Sequence, residues 1–281
     1  MSEITALAGW LGSNRMLASH VGEALQGCYW VGIPFAGSMS EVPHIKASSI
    51  LVNDLHRHII NLARVARDND LRAKLIRQAR RNSFHPDELA AAQVFCKANQ
   101  PATTPDLAAA ERYFVCCWMG RASKAGTDDE FNGRTSTRWS ASGGSSVTRY
   151  FTALRSLALF AKSLRRCAFE TMDAFDFLDR CEDLPKNGIY CDPPFPVAGR
   201  RYLHNAGQTE AEETAWHTRL RDALARFEHT RIVCRFYDHP LIRKLYGAGW
   251  EWRALEGGKK QTNSDAPEVL VMRNMPQRGL F

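Results

Sequence analysis

The chain has 281 residues, of which 44% are hydrophobic and 24% charged, the composition of an ordinary soluble globular protein. No stretch approaches the roughly 18 consecutive apolar residues a membrane span needs, and the opening Met1-Ser2-Glu3-Ile4-Thr5-Ala6 lacks the basic segment and apolar core of a secretory signal. A formal charge of +7 and a pI near 9.1 lean toward a polyanionic partner. The length suits one large domain, or a main domain with a smaller one inserted.

Residues 6–25 show helical spacing interrupted by Gly12-Ser13-Asn14, with Trp10 before the break and Arg15 after it. Cys28-Tyr29-Trp30-Val31-Gly32-Ile33 reads as a buried strand that runs into the turn Pro34-Phe35-Ala36-Gly37-Ser38. A strand ending in such a turn presents backbone N–H groups and open space to a cofactor. The turn is neither the GxGxxG of a dinucleotide binder nor a P-loop. Ser49 to Asn53 reads as a second strand, followed by Asp54 and a helix over about 56–67. An acid at that point is placed to hold ribose hydroxyls, and it lies near the expected spacing from the Gly37 turn.

From Asp68 to about Ser146 the composition changes. Arg72, Lys74, Arg77, Arg80 and Arg81 cluster on one expected helix, another starts at Pro86, and Leu107 to Met119 is apolar and helical. A polar tract follows, in which Arg121, Lys124, Arg134 and Arg138 are interleaved with Phe131 and Trp139. Basic and aromatic side chains mixed in this way suit phosphate contact and base stacking, although a solvated surface loop has the same look. A further helix over 147–164 leads to a short strand ending at Glu170, then Asp173 and a helix from Phe175.

Next comes Gly188-Ile189-Tyr190-Cys191-Asp192-Pro193-Pro194-Phe195-Pro196. The prolines end the strand, since they fix φ and donate no hydrogen bond. Asp192 and Phe195 are thereby held on a stiff loop at the strand's carboxyl end, where ligands bind in open α/β sheets. Such a loop can catch a planar base carrying an exocyclic amine. Basic Arg200 and Arg201 follow, then a helix over 210–227, a strand over 231–236, a helix over 240–246 and a closing antiparallel pair near 250–255 and 268–272. The strand–helix alternation predicts an α/β fold. The 8 cysteines form no CxxC pair and lie in apolar company, so they are expected to be reduced and buried in a cytoplasmic protein, and no metal site is expected.

In this order, Trp10-Leu11-Gly12-Ser13-Asn14, Pro34-Phe35-Ala36-Gly37, Asp54, Asp173 and Asp192-Pro193-Pro194-Phe195 resemble the Dam-type adenine-N6 DNA methyltransferases. Lys259-Lys260-Gln261-Thr262 with Pro267-Glu268-Val269-Leu270 is similar to that family's closing hairpin. Asn14, with Arg15 beside it, falls where the family has lysine, and Phe195 falls where it has tyrosine. The resemblance implies a Rossmann-like class I sheet with helices on both faces. The catalytic domain would comprise residues 1–67 and 147–281, with a mainly helical DNA-recognition subdomain inserted at 68–146. It also implies S-adenosylmethionine as cofactor, bound by Trp10, Asn14, Arg15, Pro34, Phe35, Gly37, Asp54, Asp173 and Asp192. Asp192, Pro193, Pro194 and Phe195 would be catalytic. Arg121, Lys124, Arg134, Arg138, Trp139, Arg200, Arg201, Lys259 and Lys260 would contact double-stranded DNA.

The implied reaction is methyl transfer to the exocyclic N6 of a flipped-out adenine. The residues alone leave open N4-cytosine as target, RNA as substrate, and a non-catalytic nucleic-acid-binding relative.

Overall fold

The computed structural model describes residues 6–13, 17–121, 124–140, 144–255 and 267–276. The chain divides into two compact units: Met16–Ala36, His44–Leu55 and Met172–Phe281 form one, and Met1–Arg15, Gly37–Pro43 and His56–Thr171 the other.

Strands β1 (Trp30–Ile33), β2 (Ser49–Asn53), β3 (Cys167–Glu170), β4 (Asn187–Cys191), β5 (Arg231–Tyr237), β6 (Glu251–Ala254) and β7 (Glu268–Arg273) form a mixed sheet in the order β3-β2-β1-β4-β5-β7-β6. β1 runs parallel to β2 and β4, and β4 parallel to β5. β7 is antiparallel to both β5 and β6. β4 is buried from Gly188 to Cys191, the continuous apolar run that a parallel strand covered on both sides requires. The chain leaves β1 for β2 on one side and later returns as β4 on the other. The carboxyl ends of β1 and β4 therefore flank a point where strand order reverses, the usual ligand crevice of an open α/β sheet.

In this first unit, helix α1 (Ala18–Ala24) precedes β1, while α7 (Ala174–Asp179), α8 (Glu210–Ala225) and α9 (Pro240–Leu245) connect the later strands. Alternate residues of β4, β5 and β7 (Ile189, Cys191, Ile232, Cys234, Phe236, Val269 and Val271) share a core with Leu178 of α7, Leu220 and Leu224 of α8 and Ile242 of α9. α8 starts in a capping box between Thr209 and Glu212, which satisfies end amides that would otherwise be orphaned.

The second unit is helical apart from β3. Its centre is α5 (Leu107–Met119), buried almost without interruption from Ala109 to Met119. A helix apolar on every side must be surrounded. α2 (Arg57–Arg67), α3 (Asn69–Ala79), α4 (Pro86–Ala98) and α6 (Ser146–Leu164) all pack on it. The helices of residues 68–146 thus share a compact unit with α2 and α6.

Two regions depart from their sequence patterns. The helical spacing before Gly12 does not become a helix. Instead Leu7 N–H donates to the Ser38 carbonyl at 3.1 Å, Leu11 N–H donates to Ala125 at 3.2 Å, and Trp10 bridges Ala125. Tertiary partners take the backbone bonds a helix would have used. The polar tract after Met119 is built as successive turns at Lys124, Thr127 and Asp129, with Gly120 bridged to Thr135. All eight cysteines are free, and all but the half-buried Cys181 are buried. Among the described residues no helix is long and apolar enough to cross a membrane.

Each unit buries a neutral histidine. Burial pushes His58 down to about 4, helped by neighbouring His56, and burial does the same to His217. An unfolded chain protonates these rings near pH 6.5, whereas the folded one resists until about pH 4. Stability is therefore full above pH 6.5 and lost as pH falls through that window, by roughly 3 kcal/mol per ring. Urea unfolding at pH 7 and pH 5 is expected to show a lower midpoint at pH 5. Replacing His217 by Phe should shrink that difference.

Candidate active site

Asp192 is the first residue beyond β4, and the two prolines after it are buried. The parallel register pairs Cys191 with Cys234, so the next positions, Asp192 and Arg235, are neighbours across the strands. Arg235 is a guanidinium inside a sheet, its side chain only 2% exposed. Its Nη1 donates to Asp192 Oδ2 at 2.8 Å, and its Nε donates to Glu268 Oε2 of β7 at 2.9 Å. A buried cation is tolerable only when paired and hydrogen-bonded in this way. The planar fork of arginine suits two carboxylates at different angles, which a lysine could not match.

Phe195 turns inward and is 8% exposed. Its ring meets Tyr237 edge-on, with centroids 4.7 Å apart, and the Arg235 guanidinium lies 5.5 Å from its centroid. Burial pushes the Tyr202 phenol up, with the Asp192 charge adding to it. Burial also raises Tyr237, which lies in the fields of Glu268 and Asp192. Both phenols stay protonated near Asp192 and remain hydrogen-bond donors.

At the end of β1, one buried amide organises three chain segments. Asn53 Nδ2 donates to the Pro34 carbonyl at 3.1 Å and to the Met172 carbonyl at 3.0 Å, while Met172 N–H donates back to Asn53 Oδ1 at 2.9 Å. Ala36 N–H donates to the Asn53 carbonyl at 3.0 Å. The Pro34-Phe35 turn, Asp54 and Asp173 are held by this one side chain and its backbone. Asp173 caps α7, its Oδ1 accepting from Phe175 N–H at 2.8 Å. Phe35 and Phe175 both pack on Trp216 of α8, and the Arg219 guanidinium lies 3.8 Å above the Phe175 ring.

In the helical unit, Trp10 stands between two glycines with positive φ, Gly37 (+46°) and Gly126 (+82°); a Cβ on either would press on the indole. His56 meets the indole edge-on at 5.3 Å. His56 Nε2 is 2.6 Å from Glu130 Oε1, and Glu130 Oε2 accepts from Gly126 N–H at 2.8 Å. That buried pair ties the Trp10 segment to the turn around Gly126.

The basic residues differ in their freedom. Arg121 N–H donates to the Arg134 carbonyl at 3.2 Å, so these two exposed arginines sit side by side. Arg138 is exposed and Trp139 is 96% exposed. Lys124 is engaged with Asp129. Arg201 is exposed, while Arg200 is bonded to the buried Glu213 at 2.6 Å. Asn14, Arg15, Lys259 and Lys260 lie outside the described residues.

Sequence patterns did not point to Arg235, Asn53, Glu213, His56 or Glu130, whereas Tyr202 belongs to the basic-aromatic segment Gly199-Arg200-Arg201-Tyr202 that follows the Asp192 loop. Arg235 had a signal: an arginine inside Ile232-Val233-Cys234-Arg235-Phe236 contradicts its apolar surroundings unless it is paired. Removing it leaves two carboxylates without their cation. Arg235→Met is expected to destabilise the protein by about 3 kcal/mol in urea unfolding, and Arg235→Lys to recover only part of that.

The sequence has no match among curated proteins. A family model described as D12 class N6 adenine-specific DNA methyltransferase matches residues 10–256, a span that begins at Trp10 and contains the β1 turn, Asp54, Asp173 and the Asp192 loop. The chain therefore belongs to the D12 class N6 adenine-specific DNA methyltransferase family.

Proposed function

We propose that the chain moves a methyl group from S-adenosylmethionine to N6 of an adenine flipped out of double-stranded DNA, with Asp192-Pro193-Pro194-Phe195 as the methyl-transfer loop. The observation that carries this reading is the anchoring of Asp192 at the end of β4 by a buried arginine. An anchored carboxylate can hold an amine in a single orientation. The family supplies the target and DNA as substrate.

Asp192 and the Pro193 carbonyl would accept the two hydrogens of the adenine amine. A carboxylate offers about four lone-pair sites, so accepting from Arg235 does not exhaust it. Drawing on both hydrogens favours a pyramidal nitrogen whose lone pair is aimed at the methyl group. After transfer the methylated amine would release its extra proton to water, so no strong base is needed. Rate would come from positioning and from electrostatics in a desolvated pocket. The base must leave the duplex, at a cost of roughly a few kcal/mol. Phe195 would stack on the flipped base.

The crevice fits the cofactor chemically. Asp54 follows β2 where an acid can bond ribose hydroxyls, and Phe35 with Trp216 offers an apolar aromatic wall beside the Pro34 turn. Pro34, Phe35, Asp54, Asp173 and Asp192 would line it, and the family resemblance would add Trp10 and Gly37 as cofactor contacts. The bound cofactor would supply the electrophilic methyl group. Arg121, Arg134, Arg138 and Arg201 would hold phosphates, and the exposed Trp139 would stack on a base. Eight free thiols suit a reducing compartment, and the cytoplasm is the proposed location.

Incubation with duplex DNA and methyl-labelled S-adenosylmethionine, followed by digestion to nucleosides and mass spectrometry, is expected to yield N6-methyladenine. N4-methylcytosine would overturn the assignment. Asp192→Asn, which keeps an acceptor oxygen for Arg235, should lower transfer by roughly 10²–10³-fold with the fold retained by circular dichroism, and Asp192→Ala should lose transfer at least as far and also lose stability. Trp139→Ala should raise KM for DNA roughly tenfold with kcat kept; an unchanged KM would remove Trp139 from the DNA interface.

A further inference from the structure

The chain following Phe195 adopts a conformation that its sequence does not favour. Val197 has φ +63° and ψ −57°, and Ala198 N–H donates to the Pro196 carbonyl at 2.7 Å. That is the positive-φ form of the γ-turn, rare and strained, centred here on a β-branched residue. The valine is 53% exposed, so it does not bury itself in exchange. A strained turn persists only where its surroundings hold it.

The holder is Glu213 of α8, a carboxylate 4% exposed. Its Oε1 accepts from Val197 N–H at 2.8 Å and its Oε2 from Arg200 Nη2 at 2.6 Å. The turn in turn sets what precedes it. Gly199 N–H donates back to the Phe195 carbonyl at 2.7 Å, and a Cβ on Gly199 would come 2.7 Å from Pro194 Cβ. The segment folds tightly over Pro194 and Phe195.

We propose that Glu213 is a positioning residue for methyl transfer: it clamps the strained turn at Val197 and so fixes Pro194 and Phe195 relative to Asp192. This rests on the reading of Asp192–Phe195 as the methyl-transfer loop. Arg200, bonded to the same carboxylate, belongs to the clamp. Glycine reaches positive φ about as easily as negative φ, so it can make this turn without a clamp. Rescue by glycine at position 197 therefore separates clamping of this turn from a general packing role.

The test uses the full chain with duplex DNA and methyl-labelled S-adenosylmethionine, comparing wild type, Glu213→Ala, Val197→Gly, the double variant and Asp192→Ala. Glu213→Ala is expected to lower kcat about 10–100-fold with KM for the cofactor within about twofold. Hydrogen exchange at the Val197 amide should accelerate in the same variant. Adding Val197→Gly to Glu213→Ala should recover at least about tenfold in kcat. Should Glu213→Ala fail to fold by circular dichroism, Glu213→Gln with and without Val197→Gly makes the same comparison, with a smaller loss and the same recovery expected. Wild-type kcat without Glu213, or no recovery on adding glycine, overturns the clamp. Transfer retained by Asp192→Ala overturns the loop assignment itself, whereas loss in Asp192→Ala with wild-type rates in the Glu213 variants overturns the clamp alone.

Discussion

An arginine inside a sheet is the constraint on which the active end of this molecule depends. Arg235 sits on β5 with its head group enclosed, bonded to Asp192 of the parallel neighbour and Glu268 of the antiparallel one. A cation in that position needs carboxylate partners, and the buried Glu268 and the half-buried Asp192 are in turn withdrawn from water at lower cost because the cation is there. The result is a strut across three strands that holds the acid of the Asp-Pro-Pro-Phe loop in one orientation. Hydrophobic contact could not do this, because it is non-directional, whereas a guanidinium fork fixes angles.

The same device recurs wherever a loop must hold its shape. Asn53 gathers the β1 turn, the end of β2 and the segment entering α7 through one side-chain amide. Glu213 holds the turn beyond Phe195. In the helical unit, His56 and Glu130 hold the turn against which Trp10 rests. In each case a polar side chain almost fully withdrawn from water satisfies backbone groups of a loop that makes no strand or helix of its own, as buried peptide groups demand. The strands and helices are built by apolar burial and the loops by these buried polar bonds, so substitutions in the two sets should fail differently. Core truncations cost stability, while clamp truncations cost geometry.

Much of the fold was legible because its signals are local. The apolar run Ser49 to Asn53, the Pro-initiated helices at Pro86 and Pro240, the amphipathic helix ending at Leu164 and the closing antiparallel pair appear where periodicity and caps put them. The helical pattern of residues 6–10 failed because its backbone found partners at Ser38 and Ala125, far off in sequence. Phe195 could be named from the loop motif, but its inward packing on Tyr237 could not, since that depends on which strand lies beside β4.

Residue order alone determined the α/β class, the acids and glycine turn that follow strands, and the stiff Asp-Pro-Pro-Phe loop, because each follows from φ restriction, alternation or capping within a few neighbouring residues. Tertiary structure alone decided what grips them. Arg235 and Asp192 are 43 residues apart, and Asn53 and Met172 are 119 apart. No local propensity encodes such pairings. They come into being only when strand order brings the partners together and burial makes leaving either one unpaired too costly.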